Sequence, residues 1–360
     1  MRRIGIAGAG VLGRLLAYQL GQAGHQVTVF DPATGPQPPQ VHAGAAPAPG
    51  YAAGFTAAGL LSPLAPLEFG NAQAAYMGWR GLALWRHICR TLPAATDGLP
   101  LMRQRGSVMV AHPSAPEAAA LLLARWRNAQ DITADWPAPR PMRGAALQAL
   151  EPAVAEQLDG WLLAAEAQIL PRETLHQLCL HAQGVDWRWG TAVRTIGVAS
   201  IELTDGSRWR GDWAVDCRGA GASPDEPMHL VQGQALWLHA PGVKLARPLR
   251  QLHATLRLDL VPRPGGVFIV SAQHTPDHAG TQPLPDAAQL QALASALVPA
   301  LADAQVKHLE TNLRPARQAA CPQIRITPGL LRITGLHHYG WLLAPTVVDE
   351  ALPQLALLGR

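Results

Sequence analysis

Ile4-Gly5-Ile6-Ala7-Gly8-Ala9-Gly10-Val11-Leu12-Gly13, followed by Val27-Thr28-Val29-Phe30-Asp31, is the stretch whose reading decides the fold. Ile4 to Ala7 is an apolar run suited to a buried parallel strand. Leu12, Leu15, Leu16 and Leu20 then recur on one helical stripe, and Gly24 ends that helix. The order is strand, GxGxxG, helix, strand and acid, with Asp31 lying 23 residues after Gly8. Each part has a physical reason. Gly8 permits the tight turn, Gly10 lets backbone approach a pyrophosphate, and Gly13 lets helix pack on strand. The helix start offers amide hydrogens and a positive dipole end to phosphates. A carboxylate at the end of the second strand can accept both ribose hydroxyls and repels a 2′-phosphate. The stretch predicts dinucleotide binding without separating FAD from NAD.

Working outward, 360 residues suit two intimately joined domains, and 48% hydrophobic residues allow a large core. The net charge of +4 is spread along the chain, with lysine only at 244 and 307. That argues against a nucleic-acid partner. Cys89, Cys179, Cys217 and Cys321 stand far apart, with no CxxC pair and no metal-ligand spacing, and read as reduced thiols. No segment has the roughly 18 uninterrupted apolar residues of a membrane span. Gly5 to Arg14 interrupt any signal-peptide core, so a cytoplasmic protein is expected.

Residues 32–50 read as a proline- and glycine-rich loop, in which His42 is most simply a solvated residue. Helices are expected over 74–89, 115–128, 144–150 and 287–301, and another beginning near Leu342. Strands are expected at 105–111, 192–198, 200–203, 213–217, 256–261, 267–271 and 330–334. Asp205-Gly206 and Pro264-Gly265-Gly266 mark hairpins. Nucleotide-fold pieces at the start, middle and end, with antiparallel hairpins between them, predict an α/β fold with an α+β insert. It is a discontinuous Rossmann-like domain (1–80, 145–225 and 310–360) carrying an inserted mixed-sheet substrate domain (81–144 and 226–309).

Nine further segments, in order, resemble the D-amino-acid-oxidase superfamily of flavoproteins, and within it the glycine oxidases of thiamine biosynthesis (ThiO). They are AAGLLSP at 57–63, RQRGSVMVA at 103–111, ALEPAVAE at 149–156, GWLLAAEAQILP at 160–171 and AVDCRGAGAS at 214–223. VQGQALWL at 231–238, LVPRPGG at 260–266, NLRPA at 312–316 and GLHHYGWLLAP at 335–345 complete them. The resemblance implies noncovalent FAD. It implies Val11 and Leu12 over the pyrophosphate, Asp31 on the ribose, and Val193 offering backbone to the adenine. Ala58, Gly59 and Leu60 would lie along the flavin ring, with Gly219 and Gly221 beside the nucleotide. His337, Gly340, Trp341 and Leu342 would wrap the ring's pyrimidine end, where a helix N-terminus stabilises the anionic reduced flavin.

The resemblance further implies that Arg314 holds a substrate carboxylate in a guanidinium fork, with Arg317 as the competing candidate. One type of bacterial glycine oxidase has tyrosine at the position of Asp259 and arginine at that of His338. Asp259 therefore either points away or holds an amine, and His338 and Tyr339 replace the lost hydrogen bonds. The implied activity is oxidation of a small amino acid or secondary amine to its imine, with O2 as acceptor. The alternatives are a dehydrogenase serving a quinone or carrier, and a flavin-binding scaffold with a decayed site. Homo-oligomers fit any of these.

Overall fold

The computed structural model describes residues 1–38, 51–95, 97–111, 116–222, 229–252, 256–274, 284–316 and 321–354. His42 and Arg317 therefore lie outside the described residues.

The chain opens with β1 (Arg3–Ala7), α1 (Val11–Gln22) and β2 (Gln26–Asp31). After β3 (Leu60–Leu61) come α2 (Ala72–Thr91), β4 (Met102–Arg103) and β5 (Ser107–Ala111). Then follow α3 (Pro116–Asn128), α4 (Gln130–Thr133), β6 (Arg140–Met142), α5 (Ala145–Leu150) and β7 (Gly160–Leu163). The middle of the chain contributes β8 (Ala167–Ile169), α6 (Pro171–Leu180), β9 (Val185–Trp189) and β10 (Val193–Gly197). A three-stranded meander is completed by β11 (Ser200–Leu203) and β12 (Arg208–Arg210), and β13 (Trp213–Asp216) follows. The remaining strands before the last helical pair are β14 (His229–His239), β15 (Leu249–Leu252), β16 (Leu256–Arg263) and β17 (Val267–His274). The chain ends with α7 (Ala287–Leu297), β18 (Gln305–Ala316), β19 (Gln323–Thr327), β20 (Leu330–Thr334) and α8 (Gly340–Gln354).

Two large sheets organise these elements. The first has the order β19-β20-β13-β1-β2-β9, and all its pairs are parallel except β19 with β20. Parallel strands buried on both faces need nearly continuous apolar sequence, and Ile4, Ile6, Val27, Val29, Val215 and Leu331 are all at 2% exposure or less. One face packs on α1, α2, α6 and α8 through Leu15, Leu16, Leu20, Trp85, Leu175 and Val347. The other is covered by the meander, through Ile196, Ile201, Leu203 and Trp209. The fold class expected from the sequence is the one found.

The second sheet has the order β18-β14-β17-β16-β15-β5-β7-β6. Its outer face is apolar: Leu236, Leu258, Leu260, Phe268 and Val270 bury against Leu290, Ala294 and Leu297 of α7. Its inner face carries the alternate residues, among them Arg257, Asp259, Asn312 and Arg314, and turns toward the first sheet's nucleotide edge. β7 and β18 join this sheet, although 145–225 and 310–360 were assigned from sequence to the nucleotide domain. The long ladder between β14 and β18, from His229–Ala316 to His239–Gln305, places β18 there, and antiparallel pairing with β5 and β6 places β7 there.

Candidate active site

A cavity of about 960 Å³ runs between the two sheets. Its nucleotide half sits at the carboxyl ends of the first sheet's parallel strands: Gly8 after β1, Asp31 at the end of β2, Cys217 to Gly221 after β13, and Thr334 to Leu336 at the end of β20 and just beyond it. Open parallel α/β sheets bind their ligands at these ends, because the helix N-termini collect there.

The glycine turn is built as its spacing implies. Gly8 has φ +100°, and a Cβ there would lie 2.8 Å from the Cys217 carbonyl oxygen. A Cβ at Gly13 would overlap the Gly8 carbonyl oxygen outright. Gly13 is thus a packing glycine, and it does not border the cavity as a cofactor contact. Gly10, the N-cap of α1, is different: the nearest atom to an added Cβ is Ala52 Cβ at 3.5 Å. The protein leaves that space open on the cavity side, as a cradle for pyrophosphate requires.

Asp31 borders the cavity, yet both its oxygens already serve the backbone. Oδ2 accepts from Ala9 N at 2.6 Å and Oδ1 from Ala33 N at 2.9 Å. Each oxygen retains a second lone pair for a ribose hydroxyl. Arg14, only 1% exposed, braces the same turn from behind. It donates to Ala9 O (2.7 Å), Leu175 O (2.9 Å) and Pro36 O (2.7 Å), between the Phe55 and Trp189 rings. Burial lowers its pKa, and Cys179 and Asp31 oppose that shift. Arg14 was legible in the sequence only as an interruption of apolar residues.

Val11, Leu12, Ala58, Gly59, Leu60, Val193, Gly219, Gly221, His337, Gly340, Trp341 and Leu342 all border the cavity. The Ala58–Leu60 strip is held by Arg263, which donates to Ala58 O and, at 3.4 Å, to Gln168 Oε1. Burial pulls Arg263 down to about 10. Gly59 has φ +75°, and an added Cβ would meet the Arg263 guanidinium at 2.8 Å. Trp341 donates from Nε1 to Gly54 O at 3.0 Å, fixing the start of α8 against the cavity wall.

The other end of the cavity brings Arg314, Asp259, His337, His338 and Tyr339 together. Arg314 is 9% exposed, on strand β18 rather than in a connecting loop. Its guanidinium lies over Gly233 of β14, where a Cβ would come within 2.7 Å of Cζ. Burial, and then Arg257, lower it to about 10, so it stays charged at neutral pH. Asp259 faces this cavity and stands 3.6 Å from Arg257 Nε. Of the two readings open for Asp259, the side chain therefore does not point away.

Arg257 is the residue that the sequence reading missed. It is 8% exposed, borders the cavity, and passes over the Tyr339 ring at 5.9 Å. Burial alone would lower its pKa, but Asp259, Glu68, Tyr339 and Glu166 together hold it above its ordinary value. The alternation Leu256-Arg257-Leu258-Asp259-Leu260 already places two charges on one strand face, and that was the available signal.

Behind them lies a closed polar cluster. Arg250, at 0% exposure, pairs with Glu68 and donates to Ser62 Oγ. Ser62 and Ser107 (2.6 Å) both donate to the carboxylate of buried Glu166. Burial raises the Glu166 pKa against the pull of Arg250 and both hydroxyls.

The histidines do not replace a lost cation. Burial, and then Arg314, pull His337 down to about 4. Burial, His337 and the two arginines hold His338 well below its ordinary range. Both are neutral at pH 7. Tyr339 donates to Ala65 O at 3.4 Å, and burial raises its pKa. Among the described residues no group of three or more His, Cys, Asp or Glu is placed to hold a metal, and no helix is long and apolar enough to cross a membrane. The four cysteines are free, and Cys321 lies beside Asn71 at 3.3 Å, off the cavity lining.

A parallel-sheet nucleotide cradle that opens into a buried pocket of arginines defines a nucleotide-dependent oxidoreductase with a second, substrate-bearing sheet. The family model for FAD dependent oxidoreductase (DAO) matches residues 3–349, and the chain belongs to that family. It is 28% identical over 362 residues to a Rhizobium etli protein named "Putative thiamine biosynthesis oxidoreductase ThiO", covering 98% of this chain and 96% of that one. Its fold matches glycine oxidase from Geobacillus kaustophilus with TM-score 0.76 at 20% identity, over 99% of this chain and 95% of that one. Iminodiacetate oxidase from Chelativorans sp. BNC1 matches with TM-score 0.74 at 20% identity, over the same shares.

Proposed function

We propose that the enzyme oxidises a small amino acid or secondary amine to its imine, with noncovalently held FAD as hydride acceptor and O2 as the final oxidant. The observation that carries this reading is Arg314, a buried guanidinium at the far end of a cavity whose near end is a dinucleotide cradle. FAD would lie with its pyrophosphate at Gly10 and the α1 N-terminus and its ring along Ala58–Leu60, where it supplies two-electron acceptance.

The protein's contribution is positioning and electrostatics. Arg314 grips the substrate carboxylate in two places and so fixes the Cα–H toward the ring. Asp259 accepts from the substrate nitrogen, and its ion pair with Arg257 prevents it from repelling the carboxylate. The start of α8 presents its positive dipole end to charge that develops on the ring. Neutral His337 and His338 wall the site without adding charge. Cys321 lies off the cavity lining, which favours noncovalent cofactor. The Rhizobium relative's name favours a role in thiamine biosynthesis, where the imine would feed thiazole formation.

Product analysis under air tests the reading. Glycine, sarcosine and D-amino acids are supplied in turn, and peroxide and the carbonyl product of imine hydrolysis are counted. One peroxide per carbonyl is expected with at least one of them. Carbonyl without peroxide would instead indicate a dehydrogenase, and neither product from any amine would reject amine oxidation.

A further inference from the structure

The substrate end holds one guanidinium more than a single carboxylate requires. Arg257 and Asp259, two residues apart on β16, face the same cavity but meet loosely, at 3.6 Å. Nε and Nη1 of Arg257, and Oδ1 of Asp259, are buried and have no hydrogen-bond partner. Buried polar atoms left unmatched are costly, and most so when charged. Three of them in adjoining side chains that border a cavity call for a ligand that completes them. Glu68 pairs with Arg250, and the Tyr339 hydroxyl, which donates to Ala65 O, accepts from Arg257 without matching Nε and Nη1.

The two guanidiniums approach from different strands. Arg314 rises from β18 but its head lies over Gly233 of β14. Only β17 separates β14 from β16, so that head is two strand spacings, about 10 Å, from the Arg257 backbone. Asp259 and its cross-strand partner Ser271, both cavity-lining, form the adjoining row of the same sheet face. A zwitterion with one carboxylate on Arg314 leaves Nε and Nη1 of Arg257 without acceptors, and a second carboxylate supplies them.

Building on the amine-oxidation reading, we infer that this site selects amino or imino dicarboxylates, with one carboxylate on Arg314, the second on Arg257, and the nitrogen at Asp259. Arg257 is then a specificity-determining residue, and monocarboxylic amines are turned over less efficiently.

The test uses unreactive anions on purified holoprotein at matched ionic strength. Acetate, propionate, malonate and succinate are titrated, following the flavin's visible absorbance and the thermal midpoint. Malonate or succinate is expected to bind at least tenfold tighter than its monocarboxylate counterpart. Arg257→Gln also frees Asp259 to repel any carboxylate, so it should weaken both anions, but malonate at least tenfold more than acetate, which abolishes that margin. Arg257→Lys, which keeps the charge and loses the fork, should retain part of it and guards against a misfolded Gln variant. Equal binding of mono- and dicarboxylates by the native protein would overturn the inference. So would an Arg257→Gln loss that is as large for acetate as for malonate, because both arginines would then hold one carboxylate. Anaerobic mixing with glycine, sarcosine, iminodiacetate and aspartate separates the two claims. Bleaching by glycine without a dicarboxylate margin rejects this inference alone. A margin without bleaching by any amine rejects the oxidation reading alone.

Discussion

Gly233→Ala reaches the central arginine without altering it. Gly233 is not among the glycines with positive φ, so alanine fits its backbone, and removing glycine freedom from the unfolded chain offsets any local cost. The added Cβ, however, would stand 2.7 Å from Arg314 Cζ and about as close to both terminal nitrogens. Ordinary contact begins at 3.4 Å, so the guanidinium must move by roughly 0.7 Å, and as the end of a flexible side chain it can. A misplacement of about 1 Å in a positioning group costs on the order of a hundredfold in rate, so about ten- to thirtyfold is expected in kcat/KM. The assay is the rate of anaerobic flavin bleaching against amine concentration, with the thermal midpoint measured in parallel. The account requires a slower reaction in a protein of unchanged stability. Native kinetics would show that the Arg314 head, where the structure places it, does not orient the substrate.

Asp31→Asn converts one of two oxygens that accept from Ala9 N and Ala33 N into a donor facing an N–H. At about 1–3 kcal/mol for a mismatched buried group, FAD retention should weaken about five- to 150-fold, measured by dialysis and flavin release. Gly13→Ala overlaps the Gly8 carbonyl oxygen, and the protein should purify colourless or fail to fold, as read by its spectrum and circular dichroism. For His337 the folded pKa of about 4 lies below the ordinary 6.5. Between these values the unfolded chain binds the extra proton, so the His337 contribution to stability is lost as pH drops from about 6.5 to 4, and His338 adds to the loss in the same direction. The His337 share is about 3 kcal/mol; chemical denaturation at stepped pH should show the fall, and His337→Asn should make it shallower without removing the part His338 contributes.

The nucleotide half of the site was readable because its constraints are local. A turn that only glycine can make, an apolar strand on either side and an acid at a fixed distance all fall within Ile4–Asp31. The hairpin at Pro264–Gly266 was readable for the same reason. β18 was not, because its inner face presents His308, Glu310, Asn312 and Arg314, and an edge strand lining a polar cavity carries Pro315 and little apolar alternation. Its strand character comes from pairing with β14, far away in sequence. The missed residues share that origin. Arg257, Arg250, Glu68 and Glu166 become a cluster only when β15, β16 and the segment around Ser62 meet, and Arg14 looks out of place until three carbonyl oxygens converge on it.

The most direct measurement is anaerobic mixing of the yellow holoprotein with a panel of glycine, sarcosine, D-amino acids and iminodiacetate. The account predicts that at least one of them removes the flavin's visible absorbance at a rate that saturates with concentration, and that Arg314→Met slows this at least a hundredfold at low concentration. A flavin that stays oxidised with every amine, or one that bleaches equally fast without Arg314, would contradict it.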